Sequence, residues 1–230
     1  VLVLSNNPKG EDIIAEVFSD CLILPYVMPG FILSKQVNEA IKHIDINQFK
    51  GIILHHHGVF TYSEDPKESY ENMIELVTRA EVYIQTKGVT DHGVSESKIN
   101  LEDLAKIRKA VSISRGYPQL AMLDCSSDAQ GYATREDVLN ISTRGPITPD
   151  HVIRTKRIPV ILEEKPKDDV PEIEIYAKEY RAYFERNRTE NLIMLDPAPR
   201  AGVWCGNGTI AFGSTTKECN IISDIWRHTR

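Results

Sequence analysis

Three consecutive histidines, His55-His56-His57, follow the apolar run Gly51-Ile-Ile-Leu54 and precede Gly58. In an extended strand side chains alternate faces, so His55 and His57 are expected to point together and His56 away. Two neutral imidazoles on one face can share a divalent ion, but catalytic zinc usually takes three protein ligands and keeps an open position. The pair is therefore one part of a metal site. Gly58 removes a side chain beside it and lets a ligand or a neighbouring backbone approach closely. A second concentration of chemistry is His151, Arg154, Lys156 and Arg157, just beyond Pro149. Positive charge gathered in an acidic chain suits a phosphate-bearing substrate, with arginine able to bind it through two parallel hydrogen bonds. The same residues also fit a solvated basic loop with Asp150 as partner, and both readings stand at this point. Tyr26, in the turn from Pro25 to Pro29, is placed to reach a site at the strand ends. His43, His92 and His228 sit in polar or helix-end settings and read as surface histidines.

The elements that must position these residues alternate between strand and helix. Strands are expected over 21–24, 51–62 with a break near Gly58, 119–124, 159–162, 192–195 and 201–212. Helices are expected over 10–18 and 31–43, from Asn100 to Ser114 with Gly116 as terminator, and over 134–143, 171–187 and 216–228. The clearest helix starts at Pro66. Asp65 is its N-cap, Glu68 completes an Asp-x-x-Glu box, and Tyr70, Met73, Ile74, Val77, Ala80 and Ile84 recur on one face. Gly145-Pro-Ile-Thr-Pro149 is the main internal stop.

The 230 residues are 41% apolar and 26% charged, as in an ordinary globular chain of one or two domains. Net charge is −6 with both signs interspersed, which argues against nucleic-acid or membrane-surface binding. No apolar run is long enough to span a bilayer, and nothing near the start reads as a signal peptide. Cys21, Cys125, Cys205 and Cys219 lack CxxC spacing, so free thiols in a reducing cytoplasm are expected. The apolar opening Val1-Leu-Val-Leu4 reads as the inside of a longer chain.

One stretch echoes another. Residues 52–68 align without a gap with 202–218, placing Gly58 on Gly208, Tyr62 on Phe212, Lys67 on Lys217 and Glu68 on Glu218. Both read as strand, glycine break, strand and capped helix, either by duplication or because such units align by chance. Asn207 stands where the first copy has His57.

The run Gly51-Ile-Ile-Leu-His-His-His-Gly-Val59, with the helix that carries Glu81, resembles the class II aldolase/adducin family. Further segments resemble its bifunctional rhamnulose-phosphate aldolase/short-chain alcohol dehydrogenase members. They are Val1-Leu-Val-Leu-Ser-Asn6, Pro25-Tyr-Val-Met-Pro-Gly-Phe31, residues 144–156, and 202–228. The resemblance implies a three-layer α/β fold with a mixed, mostly antiparallel sheet, present in part over 1–95. A helical connector over 96–145 and a second small α/β module over 146–230 would follow. It implies zinc held by His57, the histidine before the glycine, and a substrate-facing or interface role for His151, Arg154 and Lys156; His55 is its helper on the strand geometry alone. The family's other zinc histidines and its catalytic acid/base would precede Val1, and a dehydrogenase portion would follow Arg230. Neither a GxGxxG nor a Tyr-x-x-x-Lys dehydrogenase signature is expected here; Gly206-x-Gly208, in an expected hairpin, is a weak echo of the first. The implied activity is a cytoplasmic, homo-oligomeric lyase that cleaves a ketose 1-phosphate, such as rhamnulose 1-phosphate, to dihydroxyacetone phosphate and lactaldehyde. A non-catalytic, adducin-like binding or oligomerisation module is the alternative.

Overall fold

The computed structural model describes residues 1–88, 99–148 and 151–230. The chain divides into two compact α/β units, which are taken in turn.

The first unit runs α1 (Leu2–Ser5), α2 (Gly10–Val17), β1 (Cys21–Leu24), α3 (Phe31–Ile41), β2 (Gly51–Leu54), β3 (Gly58–Thr61) and α4 (Pro66–Thr86). Its sheet has the order β1-β2-β3, with β1 and β2 parallel and β2 and β3 antiparallel. Alternation along β2 builds two cores. Ile53 packs with Leu4, Ile14, Phe18, Leu76 and Ala80 from α1, α2 and α4. Ile52 and Leu54 pack with Leu33, Val37 and Ala40 of α3 on the other face. The result is a helix–sheet–helix stack.

The second unit runs α5 (Leu101–Arg115), β4 (Leu120–Asp124), α6 (Ser127–Ala133), α7 (Val138–Ser142), α8 (Val152–Thr155), β5 (Val160–Leu162), α9 (Pro171–Asn187), β6 (Ala201–Trp204), β7 (Gly208–Gly213) and α10 (Thr216–Thr229). The sheet order is β4-β7-β6-β5; only the β5–β6 pair is parallel. Trp204 and Phe212 pack with Ile107 and Val111 of α5 and Ile173 and Tyr176 of α9. On the opposite face Val203 and Ala211 pack with Ile222 and Trp226 of α10.

The mixed α/β fold with its mixed sheets is as expected. The stretch read as a connector contributes α5, β4, α6 and α7 to the second unit, so that unit is the larger of the two. Three local expectations fail. The helix expected over 134–143 shortens to α7, and α6 lies wholly ahead of that stretch at Ser127–Ala133. The stretch 192–195 forms no strand; Leu192, Ile193 and Leu195 are exposed, so strand propensity there meets no sheet edge. The box at Asp65 is not reciprocal. Asp65 caps by accepting from the Lys67 N–H at 2.9 Å, whereas the Glu68 carboxylate accepts from the Ser63 hydroxyl at 2.6 Å. The surface placement expected of His92 lies outside the described residues, as do Pro149 and Asp150.

Candidate functional site

Strand β2 ends at Leu54 and β3 begins at Gly58, so His55, His56 and His57 form the turn of a hairpin. The expectation of two histidines on one face of a strand is thus corrected: strand alternation does not extend into the turn. The His57 N–H donates to the Leu54 carbonyl at 3.0 Å and closes it. His56 takes φ 58°, a left-handed conformation in which histidine is less rare than most residues, and Gly58 takes φ 149°. At the base, the His55 N–H donates to the Leu24 carbonyl at 3.0 Å, continuing the parallel β1–β2 ladder into the turn.

The imidazoles diverge from this base. His55 and His56 meet edge to face with ring centroids 4.0 Å apart, and Tyr26 reaches the edge of His56 at 6.1 Å. His56 Nδ1 donates to Asn6 Oδ1 at 2.8 Å, which fixes that ring. Burial, with the neighbouring His55 as a smaller contribution, lowers the His56 pKa and favours its neutral form. His57 stacks on Phe60 at 6.2 Å. His55 Nε2 is buried and has no hydrogen-bond partner among the described residues. The turn therefore offers imidazole nitrogen on half-buried rings, the donor type that a zinc-like ion takes. Among the described residues no group of three or more His, Cys, Asp or Glu is close enough to hold a metal, so the turn can supply only part of a ligand set. Asn6 was not singled out from the sequence; only its place in a longer motif could have pointed to it.

The second unit contains the same construction. Its β5–α9–β6–turn–β7–α10 order repeats β1–α3–β2–turn–β3–α4. Leu54 pairs with Gly58, and Trp204 with Gly208. The Cys205 N–H donates to the Leu162 carbonyl, as His55 does to Leu24, and the Asn207 N–H donates to Trp204, as His57 does to Leu54. Gly206 (φ 73°) and Gly208 (φ 136°) match His56 and Gly58 in backbone sign and region. The ungapped echo in sequence is therefore a structural repeat. What differs is the use of the turn. Asn207 is buried, and its Nδ2 donates to the carbonyls of Cys205 at 3.0 Å and Glu164 at 3.4 Å. Glu164 lies two residues beyond the end of β5, just as Tyr26 lies two residues beyond β1.

His151, Arg154 and Lys156 belong to the second unit. They run along α8 and its end but have different environments: His151 is half-buried, Arg154 is exposed and Lys156 is 4% exposed. The Lys156 ammonium does not lie in a solvated loop. It donates to the Asp196 carbonyl and sits 3.7 Å from the centroid of the Tyr180 ring. Burial, with Arg200 adding to it, pushes its pKa down to about 7. The expected absence of a Tyr-x-x-x-Lys spacing is corrected: Tyr83 and Lys87 fall at that spacing. Here they end α4 as a cation–π pair at 4.8 Å.

The sequence matches two family models. One, described as "Class II Aldolase and Adducin N-terminal domain", covers residues 5–84; the other, "Aldolase class II, second domain", covers 98–230. Among curated proteins, "Uncharacterized oxidoreductase YuxG" of Bacillus subtilis (strain 168) is 26% identical over 241 aligned positions, which take in 95% of this chain and 34% of that protein. The chain thus spans about a third of the length of that relative. A solved structure, "Structure of the N-terminal Class II Aldolase domain of a conserved protein from Thermoplasma acidophilum", shares 36% identity over 36% of this chain and 37% of that one, with a TM-score of 0.32. With each compact unit matched by its own model, the chain belongs to the class II aldolase family.

Proposed function

We propose that the chain is part of a metal-dependent lyase that cleaves a ketose 1-phosphate, and that His57 is one of its metal ligands. The observation that carries this reading is the hairpin turn of half-buried imidazoles in the unit matched by the aldolase/adducin model. His57 is the histidine before the glycine, and His55, with a buried nitrogen that has no partner among the described residues, is its helper. A divalent zinc-like ion would supply Lewis-acid polarisation of the ketone. The chain's own contribution is to hold the rings: Phe60 stacks on His57, Asn6 fixes His56, and the β1–β2 ladder anchors the turn. His151 and Arg154 are proposed to face the substrate phosphate. Lys156 belongs to the same segment but is buried. The acid/base residue and the remaining ligands are proposed to come from outside the described residues.

The long motifs support the finer reading, a rhamnulose-1-phosphate aldolase joined to a dehydrogenase. The word "oxidoreductase" in the name of a longer relative agrees with it. Location in the cytoplasm and assembly into a homo-oligomer are part of the same proposal. No helix among the described residues is long and apolar enough to cross a membrane.

The test is His57→Ala in the full-length protein. Expected is loss of the bound metal, and a fall in aldol cleavage larger than the roughly 100-fold that loss of an outer-shell partner costs. Retained cleavage would sink the assignment. Absence of both cleavage and bound metal in the natural full-length protein would favour instead a non-catalytic adducin-like module, a reading that the description of the first family model also covers.

A further inference from the structure

The two copies of the hairpin turn differ at their second residue. Both positions are left-handed, with φ 73° at Gly206 and φ 58° at His56. Glycine takes that conformation without steric penalty, whereas a residue with a side chain is strained there unless its surroundings hold it. The first copy therefore keeps an imidazole at a position where its own counterpart shows that glycine serves. The contacts of the ring identify what holds it.

His56 Nδ1 lies 2.8 Å from Asn6 Oδ1, and Asn6 Nδ2 donates to the Ile147 carbonyl at 2.7 Å. A main-chain carbonyl only accepts, so the amide nitrogen faces Ile147 and the amide oxygen faces His56. The proton of the second contact then belongs to His56 Nδ1. That hydrogen bond sets the tautomer of the neutral ring, with the lone pair left on Nε2. Asn6 is itself anchored. Its N–H donates to the Leu2 carbonyl at 2.9 Å at the end of α1, and Leu4 of that helix is buried in one core with Ile53 of β2. Ile147 belongs to the same compact unit. The brace thus runs from the core beneath β2, through α1 and Asn6, to the tip of the turn that β2 enters.

We infer that Asn6 is a positioning residue for the metal ligand proposed at His57. By holding His56 against its backbone strain and in one tautomer, it keeps the turn in the conformation that stacks the next ring, His57, on Phe60. The Asn6 side chain reaches His56 and Ile147, so its effect on His57 passes through His56. The inference rests on the reading of His57 as a ligand, while the brace itself is formed without a metal.

The test is a double-mutant cycle of Asn6→Leu and His56→Gly in the full-length protein, read by zinc affinity in competition with a chelator. Asn6→Leu alone should weaken zinc binding roughly tenfold, the lower end of what an outer-shell partner contributes. In the His56→Gly background, where the backbone needs no brace, the same change should have no further effect. An equal loss in both backgrounds would overturn the inference, as would unchanged affinity in Asn6→Leu while His57→Ala loses its zinc. The second readout is nuclear magnetic resonance of isotope-labelled histidine nitrogens in the metal-free protein, at a pH above the ordinary histidine range. His56, identified by the loss of its signals in His56→Gly, should be protonated on Nδ1 alone. Asn6→Leu should turn it into a mixture of tautomers, and Asn6→Asp, which keeps the accepting oxygen, should preserve the single form. A tautomer indifferent to Asn6→Leu would overturn the brace. Zinc retained by His57→Ala would count instead against the metal reading, with the tautomer result still deciding the brace.

Discussion

The two hairpin turns, 55–57 and 205–207, share strand register, closing hydrogen bonds and the positive φ values of their second residue and following glycine, yet put them to opposite uses. In the second unit, Asn207 spends its side-chain donors on main-chain carbonyls and is buried with them. In the first, the same position carries an imidazole stacked on Phe60, and its neighbours lean on Tyr26 and Asn6. One frame therefore serves as a closed structural turn and as a turn with ligand-type atoms at its tip. Backbone geometry alone does not make the site; the side chains at three positions decide it.

The sharpest structural contrast between the turns is at their glycines. A Cβ at Gly208 would lie 2.2 Å from the Asp124 carbonyl oxygen, because β4 pairs alongside β7. A Cβ at Gly58 would meet nothing within 4 Å. Gly208→Ala should therefore cost more than about 3 kcal/mol, from a steric clash added to backbone strain. Gly58→Ala should cost about 1–2 kcal/mol from the φ penalty alone. Denaturant unfolding of both variants measures the difference, and equal costs would break the comparison.

The pH dependence of stability should separate the units next. Lys156 ordinarily titrates near 10.5 and is pushed down to about 7 in the fold. Between those values the unfolded chain binds more protons, so stability from this group rises with pH, by up to about 1.4 kcal/mol per unit. Below about pH 7 the cost of burying the charged amine is present in full. Lys156→Met should flatten that rise and stabilise the second unit most on the acidic side. Melting curves from pH 6 to 10 check the slope, and an unchanged slope would contradict the burial argument.

The smallest effect concerns the caps. Thr215 accepts from the Glu218 N–H and Asp65 from the Lys67 N–H, each at the start of the helix that follows its hairpin. Thr215→Ala and Asp65→Ala should each cost about 1 kcal/mol, and similar values would support equivalence of the two copies.

Much of this frame was legible because it rests on local signals. Pro66 after Asp65, Gly116 at φ 84° and the apolar run at Gly51 fix helix and strand ends through backbone chemistry alone. Even the repeat showed as an ungapped alignment. The turn at His55–His57 was missed because periodicity does not reveal where a strand stops, and Gly58 alone was read as the break. Lys156 was misplaced for a different reason. Its burial depends on Asp196, Arg200 and Tyr180, residues 24–44 positions away whose packing no local pattern announces. Leu192–Leu195 shows the reverse, a strand-like composition left without a neighbouring strand.

The most direct test converts one turn into the other. His57→Asn in the full-length protein gives the first hairpin the residue that its counterpart carries at Asn207, so the fold has a working precedent for the change. Metal analysis of both proteins after exhaustive dialysis should find about one divalent ion per chain in the natural sequence and none in the variant, with melting behaviour of the metal-free forms alike. A variant that keeps its metal in full would show that His57 is not a ligand and that the turn is structural in both units.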